Sequence, residues 1–182
     1  PCTLQIHKYL GEAELNEQGE DTVQTRNDHQ WRRVKYSYMD CRREASRRGL
    51  IVRGPRKIFD SSISHIAFLW MQDVCDNPAQ LKSFHDAVYE RFWRRELDIE
   101  DAAVLTALMD ELGADTPGFG EFLAGPGRVQ HDALQRELEQ AGVFGVPTWL
   151  IEGEVFWGLE KLPRVYEKLG LDAREAFEQF LI

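Results

Sequence analysis

The sequence predicts an α/β chain with strands towards its two ends and helices between them. Three observations predict it. Residues Thr3 to Leu10, TLQIHKYL, alternate as one strand, with Leu4, Ile6 and Lys8 on one face and Gln5, His7 and Tyr9 on the other. Thr148 to Ile151 and Glu154 to Trp157 are β-prone runs joined by Glu152-Gly153, a β-hairpin signal. From Trp31 to Ala141 the apolar residues recur at helical spacing. Sheet-forming parts are therefore expected in 1–30 and 141–182, and a helical block in 31–140.

Composition sets the class. A chain of 182 residues suits one domain and can bury a real core. Its 43% apolar and 29% charged content is that of a soluble globular protein. No apolar run approaches the roughly 20 residues of a membrane span, and no signal peptide is read at the start, so no membrane partner is expected. The formal charge of −9 argues against general nucleic-acid binding. Cys2, Cys41 and Cys75 form no Cys-x-x-Cys, so the dithiol redox motif is absent. An odd number of thiols fits a reduced, cytoplasmic setting. Cys41 and Cys75 fall on apolar helical stripes and are expected as small core residues.

The elements follow in order. Gly11 to His29 is polar and reads as a loop. A helix begins at Trp31, with Val34, Tyr38, Cys41 and Ala45 on one face, and Gly49 stops it. Residues Trp31 to Lys57 hold ten Lys/Arg against Asp40 and Glu44; this +8 within a total of −9 leaves −17 elsewhere. Such a run reads as a solvated face paired with acidic neighbours, or as a site for an anionic ligand. Asp60-Ser61-Ser62 starts a helix with the stripe Ile63, Ile66, Ala67, Trp70, Met71 and Val74. Asn77-Pro78 caps the next, which carries Leu81, Phe84, Val88 and Phe92. A further helix carries Val104, Leu105, Leu108 and Leu112 and ends at Gly113. Thr116-Pro117 is expected to cap a short helix with Phe119 and Phe122. Pro126 opens the last of the block, with Val129, Leu134 and Leu138. After the hairpin, Leu162, Val165, Tyr166 and Leu169 form a helical face closed by Gly170, and Asp172 can cap a final helix with Phe177 and Phe180.

The most specific stretch is Ala141 to Leu162, AGVFGVPTWLIEGEVFWGLEKL. A proline at the mouth of a buried strand loses a ladder donor. Pro147 fits there if the Val146–Pro147 bond is cis, which leaves the Val146 backbone facing outward for an extended ligand to pair with. A trans proline opening an edge strand is the plainer alternative. The string Gly142-Val143-Phe144-Gly145-Val146-Pro147-Thr148, then Phe156-Trp157-Gly158-Leu159-Glu160-Lys161-Leu162, resembles the cis-proline segment of the DsbA-like thioredoxin family. More narrowly it resembles the branch of 2-hydroxychromene-2-carboxylate isomerases and kappa-class glutathione transferases. That branch shows F-[WF]-G-x-D-R-[LM], so Glu160 stands for Asp and Lys161 for Arg. The resemblance continues through Tyr38-Met39-x-x-Arg42-Arg43, Gly49-Leu50, Asp60-Ser61, Arg91-Phe92-Trp93, Leu97-Asp98-Ile99 and Val104-Leu105. It implies a thioredoxin-like (DsbA-like) sheet, incomplete at its N-terminus, with a large all-helical insertion.

The resemblance also implies a ligand, glutathione, and a place for it. Val146 would pair its backbone with the cysteinyl part beside Pro147. Leu159, through its backbone, and Glu160 would hold the γ-glutamyl group at the helix start after Gly158. Glu160 can equally just complement the helix dipole. Trp157 is a ligand wall or a core residue. Asp60 is a cap that can face the site. His65 reads as a structural histidine rather than a base, and the other histidines show no metal spacing. In this branch the glutathione thiolate is held by a serine of a Ser-Pro-x-Ser turn after the first strand; the oxidoreductases place Cys-x-x-Cys there. Neither is legible here. Thr3 to Leu10 resembles the second strand, which puts the first β–α unit ahead of Pro1, lost by truncation or natively absent. No catalytic residue is assigned. The implied function is a glutathione-dependent isomerase or transferase acting on a small molecule, and the homodimer that the branch commonly forms is the implied partner. The alternatives are a non-catalytic thioredoxin-fold binding protein and a thiol–disulfide oxidoreductase.

Overall fold

The computed structural model describes residues 11–174. The expected strand Thr3–Leu10, Cys2, and the closing helix with Phe177 and Phe180 lie outside the described residues. The described chain forms two compact units, one running to His131 and one from Asp132.

The first unit opens with a loop pinned by backbone bonds. Leu15 N–H donates to the Arg56 carbonyl at 2.6 Å, and Leu15 bridges Asp21 across a turn closed by Gly19 N–H on the Asn16 carbonyl. A capping box then starts α1 (Asp28–Arg47): the Asn27 side chain accepts the Gln30 N–H while the Gln30 side chain accepts the Asn27 N–H. The helix thus begins ahead of Trp31, where the apolar period first shows. It ends in a Schellman arrangement, with Gly49 at φ 69° and Leu50 N–H on the Ala45 carbonyl at 2.8 Å. Val34, Tyr38 and Ala45 face inward, and Tyr38 meets Trp93 edge to face at 6.3 Å. Cys41 does not join them. It is exposed, because α1 is covered only along a narrow line and Cys41 lies roughly 20–60° off it.

The core of this unit is built around α2 (Ser62–Val74), which packs against α3 (Pro78–Trp93), α4 (Ala102–Glu111) and α5 (Phe119–Ala124). Ile66, Met71, Phe84, Leu105, Leu108, Met109 and Phe119 are fully buried. Leu97 and Ile99, on the connection between α3 and α4, join them. Asn77 accepts the Ala79 N–H at 2.9 Å, with Pro78 in the first turn, and Asp101 caps α4. Cys75 packs half-buried against the core, and burial pushes its thiol pKa up. No strand occurs between Asp60 and Leu112.

Two details depart from expectation. The N-cap of α5 is Gly118 at φ 94°, not Thr116, whose hydroxyl donates instead to Asp110 at 2.5 Å. In α6 (Pro126–Gln140) Val129 is 68% exposed. The inward row is Gly127, His131, Leu134 and Leu138, at i, i+4, i+7 and i+11. Gly127 is on that row because α6 approaches closely: a Cβ there would strike the Phe122 ring and Ile66.

In the second unit, β1 (Thr148–Ile151) and β2 (Glu154–Trp157) pair antiparallel, with Thr148 opposite Trp157 and Leu150 opposite Val155. Glu152 and Gly153 turn the hairpin at φ 51° and 81°, the two positive values that a type I′ turn needs. The helix expected after Gly158 is divided. A 3₁₀ turn, Leu159–Lys161, precedes α7 (Leu162–Lys168), which has Pro163 in its first turn. Lys168 reaches back to Glu152 at 3.1 Å and Glu154 at 3.2 Å, which ties α7 to the hairpin and raises the lysine pKa. Asp172 accepts the Arg174 N–H at 2.9 Å.

Candidate binding site

The mouth of the hairpin gathers five of the six residues singled out from sequence. The Val146–Pro147 bond is cis. The Pro147 carbonyl accepts the Gly158 N–H at 3.0 Å, so the start of β1 and the end of β2 are fixed together. Thr148 donates its hydroxyl to the Gly145 carbonyl at 2.6 Å and closes the turn from below. Val146 is 55% exposed, and neither its N–H nor its carbonyl pairs with a backbone group among the described residues.

Trp157 decides the shape of the mouth. It is 47% exposed, so it is not a core residue. Its indole covers Gly145, where an added Cβ would collide with the ring. Phe144 leans on the other side, ring centroids 4.9 Å apart. Neither Phe144 nor Gly145 is among the site residues expected from sequence. The signal was there in the F-G-V-P string, where a glycine between an aromatic and a valine marks a close approach.

Beyond Gly158, at φ 97°, the amides of Leu159 and Glu160 have no partner among the described residues. The Glu160 carboxylate folds back against Gly158; a Cβ on that glycine would strike it. The turn therefore presents two N–H donors and one carboxylate side by side. Leu159 is 48% exposed and adds apolar surface.

Asp60 belongs to the first unit and acts there as a local turn former. Its carboxylate accepts the Ser62 N–H at 2.9 Å, and its own N–H donates to Glu100 at 2.7 Å. His65, one turn on, faces His131 at 6.3 Å between ring centroids. Burial lowers the His65 pKa to about 4, and the neighbouring His131 adds to this. Both facts suit a neutral structural imidazole. Among the described residues no cluster of three or more His, Cys, Asp or Glu could hold a metal ion. No helix among them is long and apolar enough to cross a membrane.

Comparison with known proteins places the fold. The sequence profile of the DSBA-like thioredoxin domain matches residues 15–170, well over half of the chain. The chain belongs to the DSBA-like thioredoxin domain family. A 2-hydroxychromene-2-carboxylate isomerase from Sphingobium xenophagum is 30% identical over 84 residues, which cover 46% of this chain and 43% of that protein. The crystal structure of a selenomethionine 2-hydroxychromene-2-carboxylate isomerase superposes with a TM-score of 0.61 at 22% identity, covering 75% of this chain and 66% of that one. The matches span less than two thirds of either relative. They agree with the branch that the cis-proline string resembles, and the fold is the DsbA-like thioredoxin fold, α/β with its helical insertion.

Proposed function

We propose that this DSBA-like chain is a glutathione-binding isomerase or transferase of the 2-hydroxychromene-2-carboxylate isomerase type. The observation that carries the reading is the hairpin mouth, where an unpaired, exposed Val146 backbone lies beside Pro147 and is walled by Trp157 and Phe144. Glutathione, when bound, supplies a thiol nucleophile. The chain's own residues do the holding. Val146 offers a strand edge to the cysteinyl backbone. The Leu159 and Glu160 amides suit a carboxylate, and the Glu160 side chain suits an ammonium. Leu159 and the two aromatic rings shed water from the mouth.

The residues from 132 to the end contain neither serine nor cysteine, and the Thr148 hydroxyl beside Pro147 is spent on the Gly145 carbonyl. That observation favours a second reading, a non-catalytic thioredoxin-fold binding protein. Calorimetric titration of reduced glutathione separates the two. Weak binding is expected, weakened a further roughly two- to fivefold by Glu160→Ala, the range of an exposed ion pair. Conversion of 2-hydroxychromene-2-carboxylate, followed with and without glutathione, tests the isomerase reading directly. No detectable glutathione binding would leave the binding-protein reading in its place. Tight binding indifferent to Glu160→Ala would move the ligand elsewhere.

A further inference from the structure

The densest run of cations in the sequence, ten Lys/Arg between Trp31 and Lys57, begins on α1, far in sequence from the hairpin mouth. Only Ala45 of the 20 residues of α1 is fully buried. Opposite the inward line of Val34, Tyr38 and Ala45, the helical period sets Arg32, Tyr36, Met39, Arg43 and Arg47 along one crest, at i, i+4, i+7, i+11 and i+15. The crest is about 22 Å long. All five side chains are exposed. Lys35 and Arg42 flank the crest on one side and Arg33 on the other.

The helix does not neutralise itself. Arg47 and Arg48 share Glu44 at 3.3 Å, and Arg43 lies 3.8 Å from Asp40. Arg32, Arg33, Lys35 and Arg42 have no acidic partner among the described residues. Eight of the ten cations between Trp31 and Lys57 are arginines, whose planar fork matches carboxylates in pairs. At the centre of the crest Tyr36 is 59% exposed and Met39 40%, and the Arg43 guanidinium rests on the Met39 sulfur at 3.6 Å. A phosphate backbone needs the cations and has no use for a thioether. Arginine around exposed tyrosine and methionine is instead the composition of a protein interface core.

We infer that the outer face of α1 docks an acidic segment of a partner protein, one that presents carboxylates around an apolar anchor. The arginines choose the partner by charge, and Tyr36 with Met39 seats the anchor.

The test uses the full chain and defined probes at about 150 mM salt, where only local charge is felt. A labelled helical peptide of glutamates with two leucines four residues apart is compared with an all-glutamate peptide of equal charge, a single-stranded oligonucleotide and phosphatidylserine vesicles. The leucine peptide is expected to bind about tenfold more tightly than the all-glutamate one. The variant Tyr36→Ala/Met39→Ala should erase that difference. The variant Arg32→Glu/Arg43→Glu/Arg47→Glu should weaken both peptides by more than about tenfold, with helix content checked by circular dichroism. Should the charge-reversed variant unfold, the neutral Tyr36/Met39 pair still decides. Equal binding of the two peptides, tighter binding of the oligonucleotide or vesicles, or no binding of any probe would each overturn the inference.

Discussion

Two regions of this chain use the same residue types in opposite ways. In the helical unit the large apolar side chains close on one another: Phe84, Leu105 and Met109 are buried to within about 1%. In the described part of the hairpin unit only Val165, at 3%, is a buried apolar side chain, while Phe144, Val146, Leu150, Trp157 and Leu159 stand half in solvent. The first pattern makes stability, since each buried large side chain contributes about 1.5–3 kcal/mol. The second makes a surface that gains by being covered. The family match runs through both regions, from residue 15 to 170, while the energy of folding is held mostly in the first.

The largest break in this contrast is Phe84→Ala. Removing a ring that is 1% exposed should cost about 3–5 kcal/mol, read as a fall in the urea midpoint. Val155→Ala, at a position 40% exposed, should stay within about 1 kcal/mol of the parent. Similar losses at both positions would mean that the exposed face of the hairpin is a core.

A second effect belongs to the helical unit and depends on pH. The imidazole of His65 titrates near 4 in the folded chain, because it is buried, and near 6.5 when unfolded. The unfolded chain takes up the proton first, so stability is whole above about pH 6.5 and drains away as pH falls towards 4. The loss is on the order of 3 kcal/mol. Urea midpoints measured at intervals between those pH values should fall for the parent and fall much less for His65→Gln. Parallel slopes would assign the acid sensitivity to other groups.

The sequence was informative where one period or one dipeptide controlled the outcome. Asn77-Pro78, Gly49, Gly113 and Gly153 all stand where their backbone preferences put them. It was silent where a polar or small residue did an apolar residue's work. Gly127 and His131 hold the inward row of α6, and an apolar pattern looks past them to Val129. The Asn27–Gln30 box lengthened α1 upstream of its first apolar residue. At the hairpin mouth the cis Val146–Pro147 bond was legible because the string is specific. The tilted packing of Phe144 on Trp157, with the indole over Gly145, was not, because it depends on which way two rings turn.

That packing gives the third test, on the hairpin side of the comparison. Gly145→Ala would push a methyl into the Trp157 indole, costing about 1–3 kcal/mol by overpacking. The ring must swing away from Phe144, so the tryptophan emission should shift. Any glutathione affinity should fall with it. A variant that kept the parent emission would show that Trp157 is not braced by this contact.

The smallest effect lies at the tip of the hairpin, where backbone and side chain oppose each other. Glu152 sits at φ 51°, a conformation that costs an ordinary L-residue roughly 1–2 kcal/mol and that asparagine tolerates well. Its carboxylate meets Lys168 at 3.1 Å, but the acid is 75% exposed and Lys168 keeps Glu154 as a second partner at 3.2 Å. Exposed pairs of this kind contribute little. Glu152→Asn converts the turn to Asn-Gly, the pairing that type I′ hairpins prefer, and should raise stability by about 0.5 kcal/mol. A small rise in the urea midpoint is the expected reading, with the larger part of the change in unfolding rate if the hairpin closes late. A fall would mean that the Lys168 bridge, rather than the backbone of the turn, holds α7 to the strands.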